Sequence, residues 1–328
     1  MISTNPSIDP LVSVVIPTRG RSQLVARAVV SALKQTERNI EVIVVIDGPD
    51  PATEAELDRI ANGELADGRL VRVSLEQSLG GAEARNVGIR AARGRWVALL
   101  DDDDEWLPNK LRAQVEAAEA AGKQETVVAC KYIVRSPHAP DVVRPRRLPR
   151  ENEPASDFMF DYLCYFQTST LFASKALFLK VPFQKDLACF HDIDWFLRTT
   201  TSGGVKLMVV AEPLAIYHAP DERVTITSKL GWEARLSWGR ANRHKLSRRG
   251  YSRFISGSCA GRAAQDKAGL AGLSTLLREC VLHGSPSPAN IALILGIFLV
   301  TPELRRRIRD AFFLEEHKKP PIRSCLSP

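Results

Sequence analysis

Short apolar, β-branched runs alternate with amphipathic stretches along the first third of the chain. "LVSVVIP" (Leu11 to Pro17) reads as a strand stopped by proline, followed by the loop "TRGR". In "SQLVARAVVSALKQT" the apolar positions then recur at helical spacing. "IEVIVVIDG" is a second strand ending at Asp47 and Gly48, and "TEAELDRIANGEL" a helix. "GRLVRVSLE", "GAEARNVGIRAAR" and "RWVALL" continue as strand, helix and strand. This alternation over the first ~110 residues predicts a doubly wound α/β layer on a mostly parallel sheet. Ligands of such layers bind beyond the carboxyl ends of the strands, so Thr18, Arg19, Asp47 and the run Asp101 to Asp104 become candidates.

A helix from about Pro108 to Ala121 closes this half, and "TVVACKYIVR" follows as a strand. "SPHAPDVVRPRRLPREN" is too rich in Pro and Arg to read as anything but a loop. Between "FQTSTLFASKALFLKV" and "FHDIDWFLRTTTSGG" the pattern predicts a strand and two helices, the second opening near Asp192. "VKLMVVAEPLAIYH" resumes strand character, and from about Thr227 the pattern is helical to the end.

Composition narrows the class. With 328 residues, 45% apolar and 25% charged, the chain can bury a large core, which excludes a disordered or disulfide-stapled protein. Six scattered cysteines without a CxxC pair point to buried free thiols in a reducing compartment. The amino-terminal residues lack a basic segment followed by a long apolar one, so a cytoplasmic location is expected. The longest apolar run, Asn290 to Pro302, falls short of the ~18–20 residues of a membrane-spanning helix. Charge is uneven: from Lys229 onward 18 Lys and Arg face 7 Asp and Glu, a net +11, so residues 1–228 carry −4 of the overall +7. The basic region could serve nucleic acid, anionic lipid or a phosphorylated ligand, or be a solvated helical face; "LRRRIRD" behind the apolar run would also suit peripheral contact with an anionic membrane, the inner face of the cell membrane in a cytoplasmic protein.

The run "DDDDEW" is either a plain acidic turn or a site whose repulsion must be relieved, because neighbouring carboxylates at an effective dielectric of ~20 repel by roughly 4 kcal/mol per contacting pair. Protonation, full hydration or a bound cation resolves this. A calcium loop of the helix-loop-helix kind is excluded, since the sixth position from Asp101 is Trp106 and the twelfth Arg112, where glycine and glutamate are required.

"VSVVIPTRGR", "ALKQTERNIEVIVVIDG", "SLGGAEARNVGIRAARGRWVALLDDDDEWLPNKL" and "HDIDWFLR", in this order over about residues 11–225, resemble the family 2 glycosyltransferases. The resemblance implies an α/β chain of GT-A fold with a doubly wound mixed sheet and a basic helical C-terminal extension over 227–328. The GT-A domain, 1–226, would divide into a nucleotide-sugar-binding half (1–125) and an acceptor-binding half (126–226). Its activity would be inverting transfer from a UDP-, GDP- or dTDP-linked sugar to a glycan or lipid-linked acceptor in surface polysaccharide or glycoconjugate synthesis. Nucleic acid is not an expected partner, and the oligomeric state is not legible.

The resemblance also assigns residues. Asp103 would hold Mg²⁺ or Mn²⁺, Asp101 and Asp102 would touch the donor, and Asp104 would cap the next turn. Asp47 would bond the base, while Pro17, Thr18 and Arg19 would line the nucleotide. Gly80 and Gly81 would lie under the donor, with Arg85 and Asn86 in its pocket. Asp192 would be the general base, with His191, Asp194 and Trp195 on the acceptor side, and His218 a further metal ligand. Three positions depart from the family pattern: Arg19 and Gly20 stand where an aromatic and an asparagine are usual, Ile46 replaces an aspartate, and His191 a glutamate. These departures leave open a degenerate binding or scaffold module. A sugar nucleotidyltransferase is less compatible, because "PTRGRS" does not supply its glycine-rich loop with lysine.

Overall fold

The computed structural model describes residues 11–161, 164–187, 189–201, 203–219 and 230–300. The basic segment 304–310, Cys325 and the expected boundary at 226–227 lie outside them. The chain forms two compact units, parting between Leu230 and Gly231.

In the first unit the apolar runs become the centre of the sheet. Strands β1 (Val12–Thr18) and β2 (Ile40–Ile46) are buried at all seven positions, as near-continuous Val/Ile runs covered on both faces must be. They pair in parallel, β1 also pairs with β4 (Trp96–Leu99), and β2 pairs with β3 (Leu70–Ser74). Helix α1 (Ser22–Leu33) buries Val25, Ala28, Val29, Ala32 and Leu33, the stripe its i, i+3, i+4 spacing predicts. Helix α2 (Pro51–Ala61) starts at an Asp50 cap that accepts from the Thr53 amide (3.1 Å), with proline in the first turn. Asp50 also accepts from the Gly20 amide at 2.7 Å, tying the first two ligand-edge loops together. Helix α3 (Gly81–Ala91) packs so closely on the sheet that a Cβ on Gly88 would lie 2.4 Å from Val15.

Beyond β4 the sheet becomes mixed and adds β8 (Phe172–Ser174), β6 (Thr126–Ser136), β9 (Lys206–His218) and β5 (Glu105–Trp106), in the order β3-β2-β1-β4-β8-β6-β9-β5. β8, between the short helices α5 (Ala155–Met159) and α6 (Lys175–Lys180), runs antiparallel to β4 and to β6. β9 lies parallel to β6, and the two-residue β5 closes the edge against β9. The stretch expected to be loop contains β7 (Ala139–Arg144), a hairpin partner of β6 with Ile133 opposite Val143. All its residues are exposed or half-buried, so backbone pairing, not an apolar face, holds it, and periodicity carries no sign of it.

Helix α4 (Lys110–Ala120) carries a fully buried lysine. Lys110 Nζ donates to Gln114 Oε1 at 2.6 Å and sits 3.8 Å from the Trp106 ring centroid. Burial pushes its pKa from 10.5 down to about 8, and burial pushes the nearby Cys130 thiol up to about 11. Between about 8 and 10.5 the unfolded chain holds the proton that the folded chain has shed, so Lys110 contributes stability that rises with pH across that window. Lys110→Met is expected to remove this rise, which amounts to at most about 3 kcal/mol. Urea unfolding of both proteins at the two ends of the window measures it; parallel pH profiles would exclude Lys110 as the source.

The second unit is helical. Its described helices are Trp232–Ala241, Arg248–Phe254, Ala260–Gln265, Gly269–His283 and Pro288–Leu299, with a wide π-turn at Ile255–Cys259 between the second and third. Tyr251, Phe254, Ile255, Cys259 and Leu276 form its core. Gly239 permits the close approach of Phe254, whose ring would sit 2.4 Å from a Cβ there. Among the described residues of the chain, no helix is long and apolar enough to cross a membrane.

Candidate active site

The carboxyl ends of β1, β2 and β4 deliver Thr18, Asp47 and Asp101 to one edge, and a cleft of about 490 Å³ opens there. Pro17, Thr18, Arg19, Asp47, Gly80, Gly81, Arg85 and Asp101 to Asp103 line one part of it. His191 and Asp192, from the start of helix α7 (His191–Thr201), line another. Two acidic groups about ninety residues apart in sequence therefore face the same space.

The four aspartates divide by environment. Asp101 accepts from Arg85 Nη2, and its amide donates to Ser169 Oγ at 3.1 Å. Asp102 is 5% exposed and accepts from Thr18 Oγ1 (2.8 Å) and Arg21 Nη1 (2.9 Å). Burial raises its pKa, and Arg21 opposes that rise. Arg21 Nη1 also lies 3.4 Å from Asp103 Oδ2, while Arg27 Nη2 donates to the Asp103 carbonyl. One guanidinium thus spans the Asp102 and Asp103 carboxylates. Asp104 is not the turn cap expected of it. It is 2% exposed, accepts from Ser169 Oγ, and burial with Asp101 and Asp103 nearby raises its pKa well above the usual carboxylate range. It supports the edge from beneath and does not line the cleft.

Asp47 keeps its place on the cleft but is engaged with protein. Its carboxylate accepts from the Leu79 amide (2.6 Å), the Gly80 amide (3.0 Å) and Ser78 Oγ (2.8 Å). It therefore fixes the loop entering α3. Gly80, at φ +86°, supplies the left-handed turn there, and Gly48 (φ +100°) lets the loop pass, since a Cβ would meet the Ser78 amide nitrogen at 3.1 Å. Arg19 Nη1 donates to Ser78 Oγ at 2.9 Å, on the exposed rim. Asn86 points away from the cleft and clasps the Phe183 backbone through both amide atoms, at 2.9 Å each.

Asp192 Oδ2 accepts from Tyr165 Oη (2.7 Å) and Thr168 Oγ1 (3.4 Å), and Oδ1 from the Ile193 amide (2.8 Å). Burial, then the Asp192 charge, pushes the Tyr165 phenol well above its usual range, so it stays a donor to the carboxylate. Phe190, at the turn into α7, has φ +62°. A non-glycine residue held there costs of order 1–3 kcal/mol, offset by the packing around it. Arg85 connects the two acidic groups: burial opposes its charge, but Asp101, Asp192 and Asp102 together raise its pKa. His191 Nε2 lies 2.6 Å from the Leu187 carbonyl, and burial lowers its pKa.

Three expected site residues are not among those that line the cleft. Trp195 is fully buried, stacks on Phe178 and Phe183 at ring separations of 4.5 and 5.6 Å, and donates to the Val181 carbonyl. It cannot present a face to a sugar. Asp194 is 1% exposed and accepts from Arg198 Nε at 2.7 Å, one turn along α7 and outside the cleft lining. His218 Nε2 lies 3.3 Å from Glu105 Oε2, and no described cluster of three His, Cys, Asp or Glu residues suits a metal ion. His218 lies outside the cleft lining, while its backbone bonds the Asp104 carboxylate. Sequence reasoning in turn missed Arg21, Tyr165, Thr168 and Ser169, which hold the two acidic groups.

The family model for glycosyl transferase family 2 matches residues 13–186. The succinoglycan biosynthesis protein ExoO of Rhizobium meliloti is 41% identical over 124 residues, 37% of this chain and 34% of that protein, so the match spans about a third of its length. The amylovoran biosynthesis glycosyltransferase AmsB of Erwinia amylovora is 29% identical over 210 residues, 63% of this chain and 69% of that protein. In fold, the chain is similar to residues 1–349 of S. aureus TarS in complex with UDP-GlcNAc. The TM-score is 0.58 at 16% identity, over 93% of this chain and 92% of that one. It is also similar to the mannosyltransferase PcManGT from Pyrobaculum calidifontis in complex with GDP-Man and Mn²⁺. There the TM-score is 0.52 at 15% identity, over 96% and 83%.

Proposed function

The chain belongs to glycosyl transferase family 2, and we propose that it is a metal-dependent, inverting enzyme of surface polysaccharide synthesis. It would move a sugar from a nucleotide diphosphate to a hydroxyl of a glycan or lipid-linked acceptor. The observation that carries this reading is the shared cleft: Asp101 to Asp103 and Asp192 line the same 490 Å³ space, with Arg85 acting electrostatically on both groups. The named relatives of succinoglycan and amylovoran synthesis support the pathway class. The complexes of TarS with UDP-GlcNAc and of PcManGT with GDP-Man and Mn²⁺ support the donor class.

The donor edge fits a hard divalent cation. Mg²⁺ and Mn²⁺ take one or two carboxylates and complete their shells with water and substrate phosphates, and Asp103, with Asp102 beside it, offers that set. The Arg21 guanidinium across both carboxylates marks the place as one that holds positive charge. When bound, the ion neutralises charge on the departing diphosphate. Arg21 and Arg19 stand at the same edge to contact phosphate oxygens. Asp192 takes the proton from the acceptor hydroxyl as it attacks the anomeric carbon, with Tyr165 and Thr168 fixing the carboxylate. Attack from the face opposite the leaving group inverts the anomeric configuration.

Thermal unfolding with UDP, GDP, dTDP and CMP, each with and without Mn²⁺, tests the reading. One nucleoside diphosphate with metal is expected to stabilise the protein by about 2.7 kcal/mol at a hundredfold excess over its Kd. No metal-dependent stabilisation by any of them would leave a binding or scaffold module.

A further inference from the structure

The second unit carries an unusual surface that the transfer reaction does not use. Residues 234–300 hold ten Lys and Arg but only two acids, Asp266 and Glu279. Both acids are consumed internally. Glu279 is 7% exposed and accepts from Arg240 Nη2 (2.6 Å) and Tyr251 Oη (2.7 Å), and Asp266 pairs with Arg262 at 2.8 Å. Of the other cations, Arg235 adds to the charge that holds the Asp266 carboxyl below its usual range, and Arg243, Arg248 and Arg249 are exposed. Arg243 and Arg248, with Leu246, Leu282 and His283, line a cavity of about 280 Å³. Arg248 is held at its edge by a 2.8 Å bond to the Gly284 carbonyl, and Arg249 follows it, exposed. At the same end of helix Gly269–His283, Val281 and Leu282 are 54% and 55% exposed.

We propose that this face docks on an anionic phospholipid bilayer. Arginines juxtaposed with exposed branched apolar side chains match a surface that offers phosphate above hydrocarbon. The guanidinium groups of Arg243, Arg248 and Arg249 take lipid phosphates, and Val281 and Leu282 enter the boundary below them. A soluble polyanion would satisfy the arginines equally but give no return for the two apolar side chains, which is why the bilayer is favoured. The docking surface is drawn from residues 243–283 and not from the basic segment 304–310, and it goes beyond the proposed transfer reaction.

Flotation of the full chain with vesicles of phosphatidylcholine alone, and with about a third phosphatidylglycerol, tests the proposal. Binding is expected only to the anionic vesicles and should weaken as salt is raised. The Arg243→Glu, Arg249→Glu double variant should lower partitioning at least about tenfold, and Leu282→Ser about fivefold. Both alter exposed side chains, so unchanged unfolding midpoints and unchanged nucleotide stabilisation confirm that fold and donor site are intact. Equal binding to neutral vesicles overturns the proposal. So does loss of binding confined to Arg305→Gln, Arg306→Gln, Arg307→Gln, which moves the contact to the terminal segment. Heparin competition with Leu282→Ser fully active would identify a polyanion site instead.

Discussion

Asp192→Asn is expected to lower turnover by ~10²–10⁴-fold, the usual contribution of a positioned general base. The amide keeps an oxygen to accept from Tyr165 and Thr168 and forfeits the bond from the Ile193 amide, so most of the local geometry should survive while the group that takes the proton is lost. Donor binding should be nearly unchanged, because the residues assigned to the donor come from the ends of β1, β2 and β4 and from the start of α3. The measurement is therefore a split: kcat falls while nucleotide-dependent stabilisation persists. Near-wild-type transfer would dismiss Asp192 as base. Asp194 could not inherit the role, since it is buried against Arg198 outside the cleft.

Asp103→Asn is expected to act on the other half of the reaction, lowering transfer by ~10²–10³-fold through lost charge stabilisation at the leaving group. Here the nucleotide effect should change: stabilisation by the preferred nucleoside diphosphate should no longer depend on Mn²⁺. Asp103 makes this test clean because its carboxylate is partly exposed, whereas Asp102 also anchors Thr18 and Arg21. Replacing Asp102 would disturb the first loop as well as any cation. Retained metal dependence in Asp103→Asn would sink its assignment as the principal ligand.

The two variants thus separate the acidic groups that the cleft brings together. Their assignment came from motifs, and much of their support did not. Asp47 illustrates the limit: its position at the end of β2 was legible, but its three donors come from residues 31 to 33 positions later. Arg21 and Asp102 are separated by 81 residues, and Tyr165 and Asp192 by 27. No local periodicity encodes such pairs. Asp104 shares its composition with three neighbours at the cleft and differs only because Ser169, from the segment before β8, passes beneath it. Trp195 follows an acidic motif on an amphipathic helix, yet Phe178 and Phe183 from earlier segments enclose it.

The amino-acid sequence by itself determined the α/β alternation, the buried central strands, the apolar stripe of α1 and the edge at which the polar residues collect. Each follows from short-range physics: β-branched runs favour strands, i, i+3, i+4 spacing makes a helix face, and ligands gather where parallel strands end. The tertiary structure alone decided which charges meet. It set Arg21 across Asp102 and Asp103, buried Asp104 and Asp194, and brought His218 to Glu105. In the second unit it chose which two acids vanish into ion pairs and which arginines remain at the surface. Charge pairing depends on distance and burial, and both are properties of strand order and packing that no stretch of sequence carries alone.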